Sequence, residues 1–302
     1  MSTSTSQSPS GVSRAVVGTA LRISAWVSFV LNVLIIATGG TVRLTGSGLG
    51  CSEWPLCTPE SLVPTPELGI HGVIEFVNRT ISGPLLLVAL LVVFLSWRIR
   101  AQRRELLVIS LVVLGLVVLQ AVVGAFVVWE ELAAALVGFH YTVSVVIVCI
   151  TAAFLVVMRQ PAGPRQRVVP RGFAILAHVT SLVMAVTVLF GVITTASGPH
   201  SGDENVVRDG FDATLMSHVH AWPGYLLAAL IAVLVLWSAL RRLPTLRWAL
   251  ALLLITVVQI AVGVYQARTG LPVLAVGIHM VLAALNAAAL TALILRLKQP
   301  VG

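Results

Sequence analysis

Charge is scarce in this chain. Asp, Glu, Lys and Arg make up 10% of its 302 residues, against roughly 25% in a soluble domain. That excludes an ordinary soluble enzyme, and a hydrophobic share of 58% excludes a disordered tail protein. Cysteine occurs three times, too seldom for the framework of a disulfide-rich secreted module. A cleavable signal peptide is not evident. The first ~20 residues are polar and rich in Ser and Thr, with Arg14 and Arg22 ahead of the first apolar run, so residues 1–22 read as a short disordered lead.

Apolar sequence is what the chain has in abundance. Eight runs are long enough to cross a bilayer, which takes about 20 mainly apolar residues. They cover 23–42, 70–96, 106–128, 136–158, 173–196, 215–240, 248–266 and 273–295. Backbone groups inside hydrocarbon must be satisfied internally, so runs of this length are helices. The expected fold is an all-α polytopic membrane protein.

The charges orient the spans. Fifteen of the 19 basic residues fall in one set of loops, the exceptions being Arg43, Arg79, Arg208 and Arg268. By the positive-inside rule that set is cytoplasmic and both termini face inward, in the plasma membrane. Ten of the 11 acidic residues lie on or near the other side, with Glu105 the exception. The basic balance is therefore a topology signal, and the expected surroundings are a lipid bilayer and no nucleic acid.

A repeat runs through the chain. Gln120-Ala-Val-Val-Gly124 with Gly138-Phe-His140 returns as Gln259-Ile-Ala-Val-Gly263 with Gly277-Ile-His279, at one offset of 139 residues. In the first halves of the units Thr45-Gly-Ser-Gly48 resembles Thr195-Ala-Ser-Gly198. Two tandem four-helix bundles follow, residues 23–159 and 160–302, related by a pseudo-two-fold axis along the membrane normal.

Every even-numbered span carries a histidine near its outer end: His71, His140, His218 with His220, and His279. Ionisable groups in a membrane mark function by default, although a single such histidine is as well explained by a hydrogen bond to a neighbouring helix. Four at similar depth point to a metal or haem, because imidazole is the commonest protein ligand of such iron. In the C-terminal bundle the natural pair is His279 with His220, or with His218 in reserve. Zinc is less expected, since no carboxylate or Cys is grouped with these histidines at zinc spacing.

Span two reads His71-Gly-Val-Ile-Glu75-Phe-Val-Asn78-Arg79. Positions 71, 75 and 78 share one helix face, and Glu75 with Arg79 is an i,i+4 pair. The pair is either structural or part of a site that faces the bundle holding His140. Ahead of it, Cys51-Ser-Glu-Trp-Pro-Leu-Cys57 can close a small disulfide ring outside the cytoplasm, as a brace or as a redox relay. Cys149 sits in mid-membrane as an inert core residue.

Together these segments resemble the haem A synthase family. The resemblance rests on Thr45-Gly-Ser-Gly-Leu-Gly-Cys51 to Cys57, Ile74-Glu-Phe-Val-Asn-Arg79, Ala196-Ser-Gly-Pro-His200-Ser-Gly-Asp203 and His218-Val-His220-Ala, and covers residues 22–296. It implies an oxidoreductase that turns a ring methyl of haem O into a formyl group by successive hydroxylations, supplying haem A to cytochrome oxidase. It implies haem b on His220 and His279, substrate haem O on His140, and a functional carboxylate at Glu75 beside Asn78 and Arg79. Haem O synthase and oxidase assembly factors are the implied partners, with an electron partner of unknown identity. Many family members have Glu-x-x-His-Arg where this chain has Asn78, so the second substrate ligand is missing from that pattern. His71, roughly 10 Å further along the helix axis, is a poor replacement. Two other readings stay open: a di-haem electron-transfer cytochrome, which needs two complete bis-His sites, and a paired-repeat transporter, which should show polar groups or broken helices at mid-membrane.

Overall fold

The computed structural model describes residues 17–203, 205–206 and 211–301. Most of the expected N-terminal lead, with Arg14, lies outside the described residues, as does Arg208.

The helices are α1 (Thr19–Leu44), α2 (Gly69–Arg98), α3 (Arg104–Trp129), α4 (Ala134–Met158), α5 (Arg171–Ala196), α6 (Ala213–Leu240), α7 (Leu246–Arg268) and α8 (Val273–Ile294). All eight are long and apolar enough to cross a membrane, and the chain is a multi-pass membrane protein. Each expected span is found, with ends that differ by a few residues because the helices extend past the apolar stretch. Large side chains such as Leu87, Leu182, Leu254 and Leu274 stay exposed along the shafts. Lipid, not water, must cover them, since a soluble surface rarely carries so much apolar area.

The packing has two rings. In the first half α1 packs on α2, α2 on α3, α3 on α4 and α4 on α1. In the second half α5, α6, α7 and α8 repeat that circuit. Among the described residues the backbones of the diagonal partners α2 and α4, and likewise of α6 and α8, do not come close to each other. The rings join where α4 meets α8, α1 meets α8 and α4 meets α5. Burial follows from this: 61% of the most apolar window of α4 is buried, against 33% or less in every other span, so α4 is the central helix. Its Val145, Val148 and Ala152 pack with Ala284, Ala287 and Ala288 of α8. Small residues let the helix backbones approach, which is how helices associate where lipid removes the hydrophobic drive. In the second ring Asn286 is buried and accepts from Thr256 Oγ1 at 2.8 Å.

Both ends are tied. At one end Gly48 N donates to Gly202 O at 2.8 Å, and Arg43 Nη2 donates to Thr195 O at 2.5 Å. The two long loops therefore lie together over the starts of the even-numbered helices. At the other end, rich in arginine, β1 (Arg165–Arg167) pairs antiparallel with β2 (Lys298–Pro300). Strands this short carry no readable alternation, and the sequence reading has none there.

Candidate functional site

The disulfide loop sits on α2. Cys51 and Cys57 are bonded and buried. A Cβ on Gly50 would stand 2.8 Å from Gly72 N, so the loop lies directly against the first turn of α2 and only glycine fits. Cys51 N donates to Glu75 Oε2 at 2.7 Å. Glu75 forms an ion pair with Arg79, whose Nε donates to Oε1 at 3.1 Å. Arg79 Nη1 then donates to Glu53 O at 2.6 Å and Leu56 O at 3.0 Å, and Nη2 donates to Cys51 O at 3.1 Å. One buried carboxylate and one guanidinium thus clamp the whole loop. A charge pair out of water needs such extra hydrogen bonds to offset its desolvation.

Sequence spacing places Glu75 and Asn78 on one face, but their partners differ. Glu75 turns to the loop, while Asn78 Oδ1 accepts from Thr38 Oγ1 of α1 at 2.8 Å. His71 contacts Ser47 Oγ at 2.9 Å, and Ser47 contacts Thr45 Oγ1 at 2.8 Å. His71 is thereby part of the loop seat. His200 is likewise taken up by a loop contact, to Leu271 O at 3.1 Å.

His140, His220 and His279 follow a common rule. His140 faces Gly124, where a Cβ would lie 3.6 Å from its Cε1. His220 faces Gly191 and His279 faces Gly263, each with that distance at 2.9 Å. Asn78 faces Gly39 in the same way at 3.7 Å. Each even-numbered helix therefore lays one polar side chain on a glycine of the helix before it. The repeat contains the glycines of α3 and α7, but Gly39 and Gly191 stand outside its offset.

His220 and His279 meet across the ring. Their centroids are 6.1 Å apart and their planes stand at 79°. His220 Nδ1 contacts Thr187 O at 3.0 Å, a bond that as Nδ1–H leaves Nε2 free to ligate. His279 Nδ1 is buried without a hydrogen-bond partner among the described residues, and its Nε2 lies 3.1 Å from Gln259 Nε2. His218, the reserve candidate, is exposed and contacts Thr214 O of its own helix at 2.8 Å, so it does not join the pair. In the first ring Gln120 Nε2 donates to His140 O at 2.9 Å and Ser144 Oγ at 2.6 Å, and among the described residues His140 Nδ1 is buried without a hydrogen-bond partner.

These residues suit a haem. Metal–imidazole bonds of about 2.0 Å on both sides of one iron put the ring centroids about 6 Å apart, which is the spacing of His220 and His279. The glycines leave room for each ring, and the orphaned nitrogens are donors with unused capacity.

The chain matches the family model COX15-CtaA, described as cytochrome oxidase assembly protein, over residues 22–70 and 67–294. Proteins named heme A synthase from Bacillus cereus (strain AH187), Bacillus anthracis (strain A0248) and Bacillus thuringiensis subsp. konkukian (strain 97-27) are each 35% identical to it over 130 residues. Those alignments cover 41% of this chain and 41% of each relative.

Proposed function

The chain belongs to the COX15-CtaA family of cytochrome oxidase assembly proteins, and from that premise we propose that it is a haem A synthase. It oxidises a ring methyl of haem O to a formyl group. The single observation that carries this reading is the His220–His279 pair, set at haem spacing in one ring while the other ring keeps one such histidine, His140. Residues 160–302 form the haem b half and residues 23–159 the substrate half, related by a pseudo-two-fold axis. The matching helix circuits of the two halves support that division.

Bound haem b supplies electron transfer. His220 and His279 hold it, with Thr187 O fixing the tautomer of His220. In the substrate half His140 would hold haem O, with Asn78 of the diagonal helix α2 as a weaker, non-histidine group. Glu75 has Oε1 occupied by Arg79, while Oε2 accepts from Cys51 N and the carboxylate's other neighbour is the Gly50 backbone N–H, so no cation holds Oε2. Oε2 is therefore the atom with capacity to take and return a proton during hydroxylation. Arg79 keeps the carboxylate in place and couples it to the disulfide loop.

The protein resides in the plasma membrane with both termini cytoplasmic, because the arginine-rich end carries 15 of its 19 basic residues. It receives haem O from a haem O synthase and works alongside oxidase assembly factors. Extraction of pigments from the purified protein tests the reading. A synthase carries haem b together with haem O or A, a di-haem electron-transfer cytochrome carries haem b alone, and a transporter carries none.

A further inference from the structure

Three arginines crowd the arginine-rich end with no carboxylate among them. Arg159 follows α4, Arg247 opens α7 and Arg296 follows α8. With Gln160, Trp248 and Gln299 they line a cavity of about 780 Å³. Arg296 lies 3.5 Å from the Trp248 ring centroid and Arg247 flanks the same ring at 5.2 Å. Arg159 leans on Trp26 at 5.3 Å. Stacking fixes these guanidinium groups while leaving most of their five N–H donors free. The one acidic residue at this end of the sequence, Glu105, is held by Arg103 at 2.6 Å. Among the described residues no ion pair reaches Arg159, Arg247 or Arg296. Burial, then the charges of Arg247 and Arg159, push the pKa of Arg296 down to about 10. It is still a cation at neutral pH, so the cluster holds uncompensated positive charge.

We propose that this cavity binds the phosphate group of an anionic membrane lipid. The cavity opens at the ends of three spanning helices, and Val156 and Ala251 give it an apolar wall along which acyl chains can run. Basic pockets of this kind between membrane helices take anionic head groups. A phosphate there bridges α4 of the first ring to α7 and α8 of the second. Among the described residues α4 and α7 do not otherwise pack on each other. The site is thus a strut between the two rings, and it does not depend on the chemistry proposed at the opposite end.

Native mass spectrometry of the full chain in detergent tests it, with diphosphatidylglycerol and phosphatidylcholine as probes. The parent should favour the anionic lipid by about tenfold or more, and each arginine replaced by Gln should cost about fivefold. The triple variant R159Q/R247Q/R296Q should lose the preference, while R241Q/R242Q, on exposed arginines outside the cavity, should keep it. If the triple variant does not fold, R296Q alone decides: an unchanged affinity overturns the proposal. A parent without preference, or equal losses in the cavity and control variants, overturns it as well. Inorganic phosphate is the last arm. Failure of millimolar phosphate to displace the lipid is expected, and full displacement would assign the site to a free anion instead.

Discussion

The imidazole of His220 meets that of His279 edge-on across the second helix ring at a centroid distance of 6.1 Å, on two helices, α6 and α8, whose backbones do not come close among the described residues. A haem held by both rings would sit between these helices. His220→Ala or His279→Ala should each remove most of the bound haem b from the purified protein, read as the reduced-minus-oxidised spectrum. His218→Ala should leave it intact, because His218 is exposed and bonded to its own helix. Survival of the spectrum in both ligand variants would refute the assignment.

The glycines beneath the rings give a second prediction. A Cβ on Gly191 or Gly263 would stand 2.9 Å from an imidazole Cε1, closer than carbon atoms tolerate. Gly191→Ala and Gly263→Ala should push the ring aside and lower the haem-to-protein ratio severalfold. Gly115→Ala is the control, since its Cβ meets nothing within 4 Å, and in a helix it should stabilise by about 0.5–1 kcal/mol. Measuring haem content together with the melting temperature separates local displacement of the ring from general unfolding.

Glu75 and Arg79 should respond differently to substitution. Arg79→Met removes the guanidinium donors to Cys51 O, Glu53 O and Leu56 O and leaves the buried Glu75 carboxylate without its counter-charge, a loss of about 3–5 kcal/mol. The disulfide should then yield to reductant much faster than in the parent, as followed by alkylation and mass spectrometry. In the parent without reductant, neither Cys51 nor Cys57 should be alkylated. Glu75→Gln keeps an oxygen acceptor but cannot cycle a proton. It should retain haem b and accumulate haem O or a hydroxylated intermediate. Parent-level haem A from Glu75→Gln would exclude Glu75 as the proton carrier.

Asn78 stands on Gly39 as the histidines stand on their glycines. Asn78→His should therefore offer a second imidazole opposite His140 and raise retention of haem O through purification. His140→Ala should lower that retention while leaving the haem b signal unchanged. Equal haem O content in the parent and both variants would show that neither residue touches the substrate.

Much of this was legible in sequence because a bilayer imposes a strict length and polarity on each span. The repeat of Gln120, Gly124 and His140 in Gln259, Gly263 and His279 was likewise readable, since Gln and His are rare in so apolar a chain. The Glu75–Arg79 pair was readable too, as an i,i+4 spacing, but the partner of Glu75 in the loop, Cys51 N, was not. Spacing tells which residues share a face of α2, but not that the 51–57 loop folds back onto that face instead of leaving it to the bundle. The Gly191–His220 and Gly39–Asn78 contacts were hidden too. They join helices whose separations differ between the halves, so no single offset aligns them. The preference for His220, with His218 in reserve about 200° round the helix, came with the sequence, and the structure adds that the His218 ring is exposed and bonded to Thr214 O of its own helix.

The measurement that bears most directly on the central claim is haem chromatography of membranes from cells that make haem O but no haem A, with and without this chain. The account predicts a haem A peak, with a hydroxylated intermediate before it, only when the chain is present, and its loss in Glu75→Gln. Unchanged haem O, with the chain inserted and its haem b spectrum intact, would contradict the account.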